Sequence, residues 1–543
     1  MKQSSKIRST LIFVLFMGLY VVLLVNLYFI QILQTDFFST LANRQYHIEL
    51  VSYPARGEIL DCKDRPVAVN KEAVSAFVLP RQLQDEKTLQ AFLQNYFPSS
   101  WERLSRFRDK HFMYIARRLP DDLCSQAQCD KVVDLKFMKE PSRYYPNEAM
   151  SQVVGITNID NQGLFGVEQL YNQTLAGASH KIVLEKDARS AHFYFKQELQ
   201  KGGTLGSNVK LTIDSDLQFL VNEALVTAVE RLQAEMGAVV IMDPQNGDIL
   251  SLVSYPNFDP NSIQELDQAK TKLVPVTDCY EYGSIMKVFV ALAALAEGVV
   301  QPDDIIDCEN KEVTQIDGMR FSTVKANGEI PFSEVVARSN NIGMVKVAKR
   351  LNEKLYDHYV KLGFGAKTGL NFLGEQAGYV SHPSKWSKRS IISLSFGYEI
   401  TATLLQVARA FSLIANGGSL VTPRLVLSEN SVPPQKIYDS AVITTVQNIL
   451  RDTVQFGTGV RAKIRGYDVM GKTGTANLAV DGAYSQDNLI FTFAGILQKG
   501  SYSRVIVTCI KNVLNPYKMY GANTTAPLFE KIAEQMLVHD RVV

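Results

Sequence analysis

The chain is poor in cysteine: six in 543 residues, with no CxxC pair and no cluster among its seven histidines. So few exclude a disulfide-built scaffold, and their spacing makes no structural zinc site. Charge of one sign is also missing. Lys and Arg number 57 against 55 Asp and Glu, a formal charge of +2. Without a basic field, nucleic acid is not the expected partner. Low-complexity tracts and short repeats are absent as well. Hydrophobic residues make up 46% and charged residues 21%, which excludes a disordered or collagen-like chain. The length suits three or four units at roughly 150 residues each.

Long hydrophobic runs are absent except at one place. Lys2, Lys6 and Arg8 precede an uncharged stretch from Ser9 to Thr35, with its apolar core at Thr10 to Leu33. A membrane-crossing helix needs about 20 such residues. The basic residues lie on the N-terminal side only, so residues 1–9 read as a cytoplasmic tail and 10–33 as a transmembrane anchor. The competing reading is a cleaved signal peptide. Its apolar region would be about 7–15 residues and end in an A-x-A-like site. This run is longer, and residues 34–45 offer no good site. An uncleaved anchor follows, with nearly all of the chain outside the cytoplasm. If that space is a bacterial periplasm, Cys62, Cys124, Cys129, Cys279, Cys308 and Cys509 all face oxidising conditions. Cys124 and Cys129 are near enough in sequence to pair, and buried free thiols are the other reading.

After the anchor, Gln34 to Ile48 reads as a helical extension. Two blocks punctuated by Pro and Gly follow, at Val51 to Asn70 and Arg143 to Gly177. Residues 34–200 form one unit on this reading, 201–208 a Gly-rich linker, and 209–543 a large second unit. The second unit opens with a strand, a turn at Asp214-Ser215-Asp216 and an amphipathic helix. A hairpin turns at Asp243 to Gly247 and another at Gln498 to Tyr502. A helix of sequence TAPLFEKIAEQMLVH closes the chain. Further helices are expected at Ile285 to Glu297, Phe332 to Leu351 and Leu404 to Asn416. The fold class is α+β, a mostly antiparallel sheet covered by helices.

Three short elements in the second unit carry chemistry: Ser284-Ile285-Met286-Lys287 after Gly283, then Ser339-Asn340-Asn341, then Lys472-Thr473-Gly474 before Thr475. The first opens a helix that is apolar on nearly every side and stops at Gly298, so it is expected to be buried. Residues three apart share a helix face, which holds the Lys287 amine within reach of the Ser284 hydroxyl. A serine hydroxyl needs an adjacent base. A lysine serves only when neutral, and its unperturbed pKa is about 10.4. Lowering that to about 7 costs roughly 4 to 5 kcal/mol. Desolvation and a second cation both push that way, and Lys472 is the obvious second cation. The third element reads as the end of a strand, where Gly471 and Gly474 allow close approach. An extended peptide could pair with that edge. Backbone N–H groups of Ser284 and Thr475 could then hold an oxyanion.

Each element alone has a bland reading. An SxxK recurs by chance, Ser339 could be a helix cap with Asn341 in a turn, and Lys472 could be a surface charge. Their order and setting favour the joint reading. An S-x-x-K, a Ser-x-Asn and a K-T-G in this order form the shared signature of class A β-lactamases and penicillin-binding proteins; Ser-Asn-Asn here keeps its Ser and final Asn.

The chain resembles a class B penicillin-binding protein, a peptidoglycan D,D-transpeptidase, over nearly everything after the anchor. Arg56-Gly57-Glu58-Ile59-Leu60-Asp61 matches the R-G-x-I-x-D element of that family's pedestal domain. Arg143, Tyr145, Pro146, Gly155, Gly163, Gly166 and Glu168 match its R-x-Y-P…G…G-x-E block. Val153 to Glu168 is more similar to the division-specific septal member than to the elongation-specific one. Three positions depart from the family: Asp64 and Glu399 stand where glycine is common, and Leu404 where proline is common. Asp can adopt the glycine conformation at some cost.

The resemblance implies a pedestal domain at 34–200 and a transpeptidase domain at 209–543. It implies that Ser284 attacks the penultimate D-alanine of a stem peptide while Lys287 takes the proton. Ser339 would relay protons, Asn341 bind the donor peptide, and Lys472 and Thr473 bind the terminal carboxylate beside Gly474 and Thr475. No metal and no organic cofactor is implied. Expected partners are stem peptides and lipid-linked precursor glycan, a polytopic membrane glycan polymerase, other division proteins, and β-lactams as substrate mimics. Two rivals stay open: a D,D-carboxypeptidase or anchored β-lactamase, and a non-catalytic scaffold or β-lactam sensor. A bifunctional polymerase is disfavoured, because no glycosyltransferase-sized segment precedes the pedestal.

Overall fold

The computed structural model describes residues 2–52, 54–110, 112–119, 132–178, 180–186, 193–194, 204–262, 266–427, 432–480, 482–516 and 519–542. Cys124 and Cys129, and the start of the expected linker, lie outside the described residues. The chain threads between two compact units. One gathers residues 1–56, 73–140 and 176–206; the other gathers 57–72, 141–175 and 207–543. Residues 57–72 and 141–175, grouped with 34–200 in the sequence reading, thus pack with the C-terminal part.

In the first unit a helix spans Lys2–Tyr28, passes through one wide π-helical turn at Phe29–Leu33, and resumes at Thr35–Tyr46. Within Lys6–Leu33 an 18-residue stretch has a mean hydropathy of 2.5 and is not buried, so the segment is long and apolar enough to cross a membrane. Beyond it, His47–Ser52 pairs antiparallel with His180–Lys186. A small core of Leu89, Phe92, Leu93 and Leu104 joins the helices Glu86–Tyr96 and Pro98–Arg106 to the strand Met113–Leu119.

The second unit is built on a five-stranded antiparallel sheet. Its order is Ile249–Tyr255, Met236–Met242, Tyr502–Lys511, Ala483–Lys499 and Asp468–Val480. Both faces are covered, which explains why Met236–Met242 is buried at every position rather than at alternate ones. Val239 and Ile241 face one layer, with the helices Ser215–Leu232 and Thr525–His539. Ala238, Val240 and Met242 face the other, with Lys287–Ala296 and Leu404–Ala415. The two hairpins and the closing helix lie where the turn residues and apolar periods put them.

Two expected helices differ. Phe332 to Leu351 is not continuous: helices Phe332–Ala337 and Asn341–Leu351 flank a break. Ser339 sits in that break with φ +58°, and Asn340 caps the second helix by accepting from the Gly343 N–H at 2.9 Å. The helix expected from Ile285 starts at Lys287, after a tight 3₁₀ turn at Gly283–Ile285. It stops as expected: Gly298 has φ +66°, and Gly298 and Val299 donate to the carbonyls of Leu295 and Ala294. The third element differs too. It lies inside the edge strand Asp468–Val480, not at its end.

The departures at glycine positions have a common form. Asp64 has φ +63° and Glu399 φ +60°, so both hold the left-handed conformation without a glycine. At Leu404 the helix starts without proline; Thr403 and Gln406 form a capping box instead.

Candidate active site

The 3₁₀ turn presents Ser284 at the mouth of a cleft of about 890 Å³, lined also by Ser339, Asn341, Thr473 and Thr475. Close backbone approach makes this possible. Gly283 has φ +53°, and a Cβ there would lie 2.5 Å from the Thr475 carbonyl oxygen. At Gly474 a Cβ would lie 2.6 Å from the Tyr282 carbonyl oxygen. Only glycine at both positions lets the serine turn lie against the edge strand, which brings the segments carrying the Ser284 and Thr475 N–H groups together.

Lys287 is fully buried. Its Nζ donates to the Ser339 carbonyl at 2.6 Å and to the Ser339 hydroxyl at 3.1 Å. Burial, and after it the charge of Lys472, holds the Lys287 amine well below the ordinary lysine value. Lys472 is fully buried as well, and burial pulls its pKa down to about 7. Its Nζ donates to the Thr473 carbonyl at 3.2 Å. The surface-charge reading of Lys472 is therefore excluded. Two buried amines, close enough for the charge of one to act on the other, thus stand behind the cleft, with Lys287 bonded to Ser339, an arrangement suited to moving a proton between hydroxyls.

Asn341 follows the Ser339 break. Its N–H donates to Thr323 Oγ1 at 3.2 Å and its Nδ2 to the Ser322 carbonyl at 2.6 Å. Its Oδ1 is buried with no hydrogen-bond partner among the described residues, so it keeps an acceptor for an incoming N–H. Thr473 Oγ1 donates to Thr458 Oγ1 at 2.7 Å, and Thr475 Oγ1 accepts from the Gly521 N–H at 3.2 Å.

The sequence reading missed several members of this site. Thr458, Arg461, Tyr398 and Tyr520 also line the cleft. Glu281, three residues before Ser284 but not lining the cleft, accepts from the Glu399 N–H at 2.8 Å and from the Tyr484 hydroxyl at 3.1 Å. Burial pushes Glu281 up, against those two hydrogen bonds. The Gly-Thr-Gly run at Gly457 to Gly459 was the available signal for Thr458; the others carry none.

The expected pedestal residues are not among those lining this cleft. Asp61 is fully buried and accepts from the N–H groups of Lys63 and Arg65, from Arg65 Nε at 2.7 Å and from the Ser215 hydroxyl at 2.7 Å. Burial raises its pKa, but these bonds outweigh it and bring the carboxyl to about 2. Gly57 donates to the Leu175 carbonyl at 2.8 Å. Arg143 Nε and Glu168 Oε1 form a fully buried pair at 2.6 Å. Arg56 is buried at the boundary of the first unit. These residues are structural ties, not reacting groups.

Residues 237–534 match the penicillin-binding protein transpeptidase domain, and residues 51–211 the penicillin-binding protein dimerisation domain. Stage V sporulation protein D of Bacillus subtilis is 30% identical, over 98% of this chain and 86% of that protein. Peptidoglycan D,D-transpeptidase FtsI of Escherichia coli K12 is 28% identical, over 90% of this chain and 84% of its own length. Among solved structures, penicillin-binding protein 3 of Mycobacterium tuberculosis in complex with aztreonam superposes with a TM-score of 0.70 at 25% identity. That match covers 91% of this chain and 98% of the other. A helix-covered antiparallel sheet, a serine turn locked to its edge strand and paired buried lysines agree with these relationships: the chain belongs to the class B penicillin-binding proteins, the peptidoglycan D,D-transpeptidases.

Proposed function

We propose that this transpeptidase works through an acyl-enzyme on Ser284. Neutral Lys287 takes the Ser284 proton as Oγ attacks the carbonyl carbon of the penultimate D-alanine. The oxyanion is held by the N–H groups of Ser284 and Thr475. The C–N bond to the last D-alanine breaks, and Ser339 passes the proton from Lys287 to the leaving amine, with Lys472 on the same relay. Asn341 accepts a hydrogen bond from the donor peptide, and Thr473 faces its terminal carboxylate beside Gly474. An amine from a second stem peptide then attacks the ester, releasing Ser284 and forming the cross-link. The observation that carries this reading is the buried Lys287 amine on Ser339, next to a second buried amine.

β-Lactams acylate Ser284 on this reading, since their ring carbonyl stands in for the scissile one. Fluorescent penicillin tests it: the wild type takes up label and Ser284→Ala does not. Equal labelling of both would move the nucleophile elsewhere.

The N-terminal helix anchors the chain with residues 1–9 in the cytoplasm, given its basic flank, and with the pedestal at 34–200 and catalytic domain at 209–543 beyond the membrane. Resemblance of Val153 to Glu168 to the septal member supports action at the division septum. The matching partners are a polytopic membrane glycan polymerase and other division proteins. A fluorescent fusion should gather at midcell; an even distribution along the side wall would favour elongation.

A further inference from the structure

Among the described residues, the cleft that holds Ser284 is lined by one charged side chain, Arg461. It sits on the short turn Val460–Ala462 and is exposed. No hydrogen bond or ion pair holds its guanidinium among the described residues. Three residues upstream of Arg461 stands Thr458, whose hydroxyl bonds that of Thr473. The permanent cation of the cleft and the two hydroxyls therefore come from one local segment and the strand beside it.

The reading above needs a group to receive the donor's terminal carboxylate. Lys472 is poorly suited to hold it alone. It is fully buried, its amine is engaged by the Thr473 carbonyl, and it acts electrostatically on Lys287. A group that titrates near neutrality is also a variable charge. A guanidinium stays charged and can bind a carboxylate with two parallel N–H bonds.

We propose that Arg461 binds the α-carboxylate of the donor's terminal D-alanine, with Thr458 and Thr473 as the neutral half of that subsite. This rests on the acyl-enzyme reading. It separates two tasks: Arg461 holds the substrate's charge, while Lys472 tunes the proton relay. Past the turn, Lys463 and Arg465 are exposed as well, adding positive charge that favours anionic peptides.

The test measures acylation of the full chain by a penicillin and by its methyl ester, which lacks the negative charge, with mass spectrometry locating the acyl group. Arg461→Gln should slow acylation by the acid about 10- to 100-fold, as expected for one lost charge-assisted contact. The ester, slow already with the wild type, should react at an unchanged rate. Arg461→Lys should fall between wild type and Arg461→Gln. Equal slowing of acid and ester, or no slowing of either, overturns the proposal. If the acid is unaffected but a stem peptide with a second carboxylate binds less well, the terminal assignment is overturned. Failure of the wild type to acylate at Ser284 would sink the acyl-enzyme reading and this proposal together. Normal wild-type acylation that ignores Arg461 sinks only this proposal.

Discussion

The Lys287 amine lies 2.6 Å from the Ser339 carbonyl oxygen and 3.1 Å from the Ser339 hydroxyl. The carbonyl fixes the amine, and the hydroxyl gives its proton somewhere to go. That carbonyl is available because the chain breaks its helix at Ser339, where φ is +58°. A carbonyl inside an unbroken helix would be spent on the helix ladder.

Lys287→Ala removes the base and is expected to lower the β-lactam acylation rate by about 100- to 10,000-fold. Lys287→Arg should fail as badly, because a guanidinium does not give up its proton. Stopped-flow acylation kinetics check both. An Arg variant within tenfold of wild type would rule out proton abstraction at this position.

Burial, and after it like-charge repulsion from Lys472, depresses the pKa of Lys287. With Lys472→Ala that repulsion goes, the protonated form of Lys287 is favoured, and its pKa rises. Acylation needs neutral Lys287, so the ascending limb of the pH–rate profile should move to higher pH. An unmoved or lowered limb would contradict the coupling.

Gly283→Ala puts a Cβ 2.5 Å from the Thr475 carbonyl oxygen in a residue at φ +53°. Strain of about 1 to 3 kcal/mol is expected, seen as a lower melting temperature. Acylation should fall further than stability alone explains, because an ångström of displacement between the serine turn and the edge strand can cost about 100-fold.

Asp61 has a folded pKa of about 2 against an ordinary 3.8. A depressed carboxyl adds stability that is present above its unfolded pKa and lost as pH falls from about 4 to about 2. Asp61→Asn should melt at a lower temperature at pH 7 and show a flatter acid limb. Acylation by penicillin at pH 7 and 25 °C should hold, since Asp61 does not line the cleft.

Glu399→Gly tests a conformational cost. A side chain in the left-handed region costs about 1–2 kcal/mol, and glycine gives back about 0.4–1 kcal/mol through its looser unfolded chain. The first is larger, so the variant should gain stability by about 0.5–1 kcal/mol, read by urea titration.

The buried serine helix and both hairpins were legible because each rests on local spacing, and residues of all three short elements line one cleft. The break at Ser339 was not. Phe332 to Leu351 keeps an apolar helical period across it, and no glycine or proline marks the left-handed residue. The edge strand ran longer than expected, since nothing in Asn477 to Val480 punctuates it. Arg461 and Tyr520 meet in one cleft from distant stretches, and a single sequence carries no signal of that. Segments 57–72 and 141–175 pack with the C-terminal unit for the same reason: the chain's order is not its neighbourhood.

The strand that carries Lys472 is the last in its sheet. A bare sheet rim invites stray strands from other molecules and so courts aggregation. Proteins blunt such rims with charges pointing inward. Lys472 is an inward-pointing charge, fully buried on that rim. That buried amine would penalise any guest strand that slid in out of register, so on the proposed reading one side chain serves both the relay and the guarding of the rim.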